Sequence, residues 1–204
     1  GSQRKLPALT VAMLALSDFV RNHGWTVALL LGLSWFGFQQ AMKQHALRLR
    51  FDAAVLRLPV VGRLATGYNT ARFASTLAML TAAGVPILKA MQSAADTLSN
   101  QAMREDVLDA LILVREGAPL AMAMGQKKRF PSLLSMFARL GEQTGQLPLM
   151  LQRAAQQLSV DVQRRALALA TILEPLLIVA MGGVVMLIVL AVLMPIMALN
   201  QWVR

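Results

Sequence analysis

From Pro175 to Leu199 the chain runs for 25 residues without one charged or polar side chain. Wound as an α-helix, such a run is about 37 Å long, enough to cross the hydrocarbon core of a bilayer with some tilt. A core helix of a soluble domain is seldom apolar on every face over that length, so residues 175–199 are read as a transmembrane helix. Two awkward residues, Glu174 and Pro175, stand at its head. If hydrocarbon began at Ala166 the span would extend about 51 Å to Leu199 and would submerge Glu174. Beginning it at Pro175 leaves Glu174 at the interface, where a charge costs far less than at mid-bilayer. Pro175 lacks the N–H that would bond the Thr171 carbonyl, a defect of about 3 kcal/mol in an unrelieved helix. The Thr171 hydroxyl or interfacial water softens that cost, and a kinked joint is the expectation.

A second apolar segment is shorter. Trp25 to Phe38 covers only about 21 Å as a helix, and extension through Gln39 and Gln40 to Met42 brings it to about 27 Å. Trp25 suits an interfacial belt and Lys43 suits snorkelling at the other end, so residues 25–42 are read as a transmembrane helix too. Leu6 to Val20 is at best amphipathic and reads as interfacial. Gly1-Ser2 ahead of Gln3 resembles a cloning scar, and the natural chain is expected to continue toward its N-terminus.

The formal net charge of +10 needs a location. Lys43, Arg48, Arg50 and Arg57 follow the first apolar segment, and Arg164 and Arg165 precede the second. Cations on the same side of two spans are the positive-inside pattern, which puts the central segment in the cytoplasm. Aromatic residues make up only 5% of the chain, and no stacking platform alternates with the cations, so nucleic acid is not read as a partner.

Residues 48–165 carry helical periodicity and no strand signal. Phe73, Leu77 and Leu80 form one stripe, closed by Gly84 and reopened at Pro86. Ile87, Met91, Ala94 and Leu98 form a second, and Ser99-Asn100 supplies a cap for a third, made by Met103, Val107, Leu111 and Val114. A short helix fits Pro119 to Met124, followed by the basic turn Lys127-Lys128-Arg129. Leu133, Phe137 and Leu140 mark a fifth, and Leu151, Ala155, Leu158 and Val162 a sixth that feeds straight into the apolar run. The fold class is therefore all-α, a six-helix bundle flanked by two transmembrane helices.

Residues for chemistry are few. Cysteine is absent, so neither a disulfide nor a thiolate nucleophile is available. His23 and His45 stand apart with no second ligand at metal-binding spacing. Asp106, Asp109 and Glu116 lie with Arg104 and Arg115 on the polar side of their helix and read as a solvated face. Glu142, ahead of a glycine turn, has three options: a cap, a pair with Arg139 or Arg72, or a contact to a partner. A proton or ion path through Glu174 would need successive polar neighbours, which the run from Pro175 to Leu199 lacks.

Three separated stretches, "LPVVGRLATGYNTARFASTLAMLTAAGVPILKAM", "GEQTGQL" and "LEPLLIVAMGGVVMLIVLAVLMPIMALN", together resemble the second half of the inner-membrane platform protein of bacterial type II secretion, a family that includes platforms for type IV and competence pili. The resemblance implies a non-enzymatic, multi-pass inner-membrane protein without a cofactor. Residues 1–24 would then be scar and periplasmic link, 48–165 the second of two related six-helix cytoplasmic domains, and 200–204 a periplasmic tail. The metal site of some relatives belongs to the first domain, so no residue here inherits it. The implied partners are the secretion ATPase, other inner-membrane platform components, pseudopilins and a second copy of the protein. The candidate contact or junction residues are Arg72, Thr76, Glu142, Glu174 and Pro175, with Gly84, Pro86, Gly141 and Gly145 as motif positions.

Overall fold

The computed structural model describes residues 44–200, together with positions 25–26, 29–30, 32–37 and 39–40. Residues 1–24 and 201–204, assigned above to a link and a tail, lie outside the described residues, as does part of the 25–42 span. The positions described there are helical and exposed. Among the described residues the regular structure is entirely helical: α1 His45–Val55, α2 Val61–Ala82, α3 Ile87–Asp96, α4 Gln101–Arg115, α5 Leu120–Gly125, α6 Ser132–Thr144 and α7 Leu147–Asn200. Residues 41–168 form one compact unit, and the length of α7 beyond residue 168 belongs to another.

The bundle closes around the stripes that periodicity picks out. Phe73 and Leu77 of α2, Met91 and Ala94 of α3, and Met103 and Val107 of α4 are all fully buried, and Leu151 and Ala155 of α7 join the same cluster. Phe73 meets Phe130 edge to face, with centroids 5.8 Å apart, a geometry worth about 0.5–1.5 kcal/mol beyond the area it buries. Consecutive helices from α2 to α6 pack on one another, and α1 lies on α4. Gly84, at φ 79°, turns the chain out of α2: its own N–H reaches the Thr81 carbonyl and that of Val85 reaches Leu80. That pair of bonds satisfies carbonyls which the end of a helix otherwise strands.

Two features depart from the periodicity. α1 was not marked as a helix, and it buries no residue. Polar contacts hold it: the Asp52 carbonyl accepts from Asn100 Nδ2 (3.0 Å), and Asp52 Oδ2 accepts from the N–H of Gln101 (2.8 Å). The inward face of α6 is also rotated one residue from the expected stripe. Leu134, Ala138 and Gly141 are buried, Leu133 and Phe137 only partly so, and Leu140 is exposed. Close approach explains the rotation. A Cβ on Gly141 would lie 2.7 Å from Leu147 Cα and 3.1 Å from Met150 Cβ, so α6 turns its small residues toward α7.

α7 continues through Pro175 without a break in helical assignment. Its described apolar part is the one helix among the described residues long and apolar enough to cross a membrane, and none of that window is buried. A soluble core helix would bury it.

Asn69, only 3% exposed, is the polar centre of the bundle. Its Oδ1 accepts from the N–H (3.0 Å) and Oγ (2.9 Å) of Ser99 and from the N–H of Asn100 (3.4 Å), while its Nδ2 donates to the Ala65 carbonyl (2.8 Å). Asn69→Ala strands the buried N–H of Asn100 and releases the Ser99 contacts, and the expected loss is about 1–3 kcal/mol. Thermal unfolding followed by circular dichroism checks this against Met79→Ala, an exposed position where little change is expected.

Candidate partner-binding surface

The stretch "GEQTGQL" spans the end of α6 and the start of α7. Gly145, at φ 70°, closes α6, and the N–H of Gln146 bonds the Gly141 carbonyl at 2.9 Å. One residue after the tight contact at Gly141, Glu142 points to the start of α5. Its Oε1 accepts from the N–H of Leu120 (2.5 Å) and its Oε2 from the N–H of Ala121 (3.3 Å). Pro119 stands in the N-cap position of α5 and makes no side-chain cap hydrogen bond. A carboxylate 22 residues downstream in sequence therefore does the work of a capping side chain. Of the intramolecular options open to Glu142, the geometry shows the cap, and neither Arg139 nor Arg72 is its partner among the described residues.

The acidic residues of α4 are also committed, though to other cations than sequence neighbourhood suggests. Asp106 pairs with Arg129 (2.8 Å) and Asp109 with Lys127 (3.0 Å), both from the basic turn between α5 and α6, while Arg104 pairs with Asp96 (2.6 Å). Arg129 also donates to the Ala102 carbonyl at 3.4 Å. His45 Nε2 lies 3.0 Å from Glu105 Oε1. No group of three or more residues able to hold a metal occurs among the described residues.

Arg72 stands differently. It is exposed on α2 and pairs with no carboxylate among the described residues, where only its backbone carbonyl is used, accepting from Thr76 Oγ1 at 3.0 Å. Thr76 is thus a local back-bonding residue. Val61, Tyr68, Arg72 and Met79, at spacings of 7, 4 and 7, share one outward ridge of α2 about 27 Å long. Tyr68 is 53% and Met79 68% exposed. Aromatic, arginine and methionine side chains are the types enriched at protein interfaces. The remaining two candidates, Glu174 and Pro175, lie far along α7 and are exposed. Tyr68 and Met79 had not been singled out; the signal was their spacing from Arg72, hidden because the opposite face of α2 is also apolar.

Removing the cap isolates its role. Glu142→Ala should destabilise the bundle by about 0.5–2 kcal/mol and Glu142→Gln by less, since an amide oxygen still accepts. Thermal unfolding, with limited proteolysis after Lys127 and Lys128 as a local probe, measures both. Equal stability of all three proteins would contradict the capping role.

Comparison with known proteins connects these features. Residues 73–195 match the family described as type II secretion system (T2SS), protein F. The chain is 39% identical over 204 residues to the type II secretion system protein F of Pseudomonas aeruginosa, covering 99% of this chain and 50% of that one. It is 40% identical to the protein of the same name from Vibrio cholerae, over 96% of this chain and 48% of the other. The type IV pilus assembly protein PilC of Thermus thermophilus is 32% identical, over 94% and 47% respectively. The chain thus spans about half the length of the relatives it matches. With the matched region running from the Phe73 stripe of α2 into the apolar part of α7, the chain belongs to the type II secretion system protein F family.

Proposed function

We propose that the chain is part of a non-enzymatic inner-membrane platform of type II secretion. In this reading it links the cytoplasmic secretion ATPase to the assembly of pseudopilins and contacts the other inner-membrane components of the machine. The bundle lies in the cytoplasm, residues 25–42 and 175–199 cross the membrane, and a second copy is a further partner. The observation that carries the reading is one helix: α7 begins in the buried core at Leu151 and continues into an apolar run that is bare on every side. A partner's push on the bundle therefore has a direct route to the membrane segment. The matches to proteins named for type II secretion, at 39–40% identity, favour secretion over a pilus platform, for which the PilC match at 32% is the specific support.

Within this reading the α2 ridge receives the soluble partner, with Arg72 at its centre, and Glu174-Pro175 sets the depth at which α7 enters the bilayer. Glu142 is assigned to the fold and not to the contact. In the full-length protein, expressed in cells that lack the native copy, Arg72→Glu should reduce export into the medium at least tenfold while the amount in the membrane fraction stays unchanged. A photo-crosslinker at Tyr68 should capture a cytoplasmic component in cells carrying Arg72 and lose it with Arg72→Glu. Normal export with the charge reversed would remove the ridge from the mechanism. Pro175→Ala should retain insertion but lower export, and unaltered export would deny the junction its role.

A further inference from the structure

Away from the α2 ridge, two adjoining depressions in the bundle share Leu56, Thr66 and Pro131. One, of about 360 Å³, is lined by the cations Arg57, Lys128 and Arg129; the other, of about 410 Å³, by Arg63 and Arg165. Against these five cations the lining carries one carboxylate, Asp161. Arg165 uses Nε on Asp161 (2.8 Å) and Arg129 uses Nη1 on Asp106. Arg57, Arg63 and Lys128 are exposed and have no carboxylate partner among the described residues. A groove that concentrates uncompensated guanidinium and ammonium groups between apolar walls focuses its field on an anion.

The course of α7 says where that anion comes from. Gln157, Leu158, Asp161 and Arg165 line the groove from one face of α7 over about 12 Å. Apolar residues follow Arg165 at once: Leu167, Leu169, Ile172 and Leu173 are all large and exposed. Gly67 of α2 permits the close seating of this helix, since a Cβ there would lie 2.5 Å from Val162 Cγ2. The groove therefore ends where α7 turns from a soluble helix into a bare apolar one, and Leu56, Leu133 and Leu158 add apolar surface among its cations. An acidic peptide would match the charge but not the placement beside the apolar run. A lipid headgroup matches both, and arginine forks fit phosphate oxygens.

We propose that this groove binds the phosphate headgroup of an anionic phospholipid from the leaflet that α7 enters. The proposal rests on α7 being a membrane span and is independent of which machine the protein serves. The bound phosphate pairs with Arg63 and with the guanidinium Nη groups of Arg165, whose Nε stays on Asp161, and holds the bundle at the membrane surface through a second point besides α7.

The test uses the 204-residue chain in nanodiscs of phosphatidylcholine doped with phosphatidylglycerol or cardiolipin, with lipids retained after release into mild detergent read by native mass spectrometry. The chain should retain the anionic lipids in preference to phosphatidylcholine. The preference should fall about fivefold in Arg63→Gln and roughly twentyfold or more in the variant that also carries Arg165→Gln. Arg115→Gln, on α4 and outside the groove, removes the same charge and should leave retention unchanged. An unchanged preference in the double variant, or an equal loss with Arg115→Gln, overturns the proposal. So does binding of a polyglutamate peptide that needs Arg63 and Arg165 while lipid retention does not, which would reassign the groove to a protein segment. Inorganic phosphate that binds as tightly as the lipids would make it a free-phosphate site, also against the proposal. Failure of the chain to enter the bilayer would remove the membrane reading with it, whereas insertion without headgroup selectivity removes this inference alone.

Discussion

The arrangement of the bundle depends on the side chain of Asn69. The turn between α3 and α4 presents the N–H of the buried Asn100 beside that of the exposed Ser99, and a buried backbone donor is almost never left unpaired. Asn69 Oδ1 takes both, while Asn100 caps α4 through the N–H of Met103 and reaches the Asp52 carbonyl with its amide. Three helices, α1, α2 and α4, are thereby tied at one point. The surrounding core makes this necessary: it is rich in alanine and methionine, including Ala74, Ala78, Ala90, Ala94, Met91, Met103 and Met124. Small and flexible apolar side chains tolerate many helix registers. A satisfied polar network tolerates one. Asn69 faces this contact, while Tyr68, one residue back and about 100° around the helix, stands on the exposed ridge of α2.

How much of this was legible in the sequence follows from the kind of force involved. Stripes built on large apolar residues, such as Phe73 and Leu77 or Met103 and Val107, could be read directly because burial of area drives them. The cap at Asn100 was legible because it is local. α1 was not, since none of its residues is fully buried and Asp52 and His45 make its polar contacts, and hydrophobic periodicity is silent about a helix held largely by polar groups. The face of α6 was misjudged by one residue because hydrophobicity ranks Leu133 and Leu140 above Ala138 and Gly141, whereas interhelical distance ranks them the other way. The destination of Glu142 and the partners of Asp106 and Asp109 are contacts across 18 to 23 residues, and only the assembled bundle brings them together. Of the site residues, Arg72 is exposed and unpaired among the described residues, while Glu142 caps the start of α5.

Gly141 and Glu142 show how neighbours in one turn divide their tasks. Gly141 admits Leu147 and Met150 to close range, which seats the first turn of α7, and Glu142 holds the first turn of α5. Displacement of α6 would disturb both at once. Since α7 is one continuous helix from Leu147 to Asn200, the turn that seats its first residues also fixes where that helix starts in the bundle.

Under the proposed membrane reading, the length of that apolar run limits how it would sit in a bilayer. From Ala166 to Leu199 there are 34 residues without a charge except Glu174, about 51 Å of helix against a hydrocarbon core of about 30 Å. Even at a tilt of about 40°, the steep end of the usual range, the core accommodates only about 26 residues. About eight residues must then lie outside it. If the excess falls on the bundle side it is Ala166 to Leu173, and the core begins at Glu174-Pro175. At the same tilt those eight residues rise about 9 Å, a few ångströms more than a headgroup layer of about 5–7 Å. Apolar side chains there meet the acyl boundary, Glu174 stays within reach of water, and the carbonyl deprived of the Pro175 N–H falls where polar groups are still available. Arg164 and Arg165 then stand at the outer edge of the headgroups, the position at which cations gain most from anionic lipid.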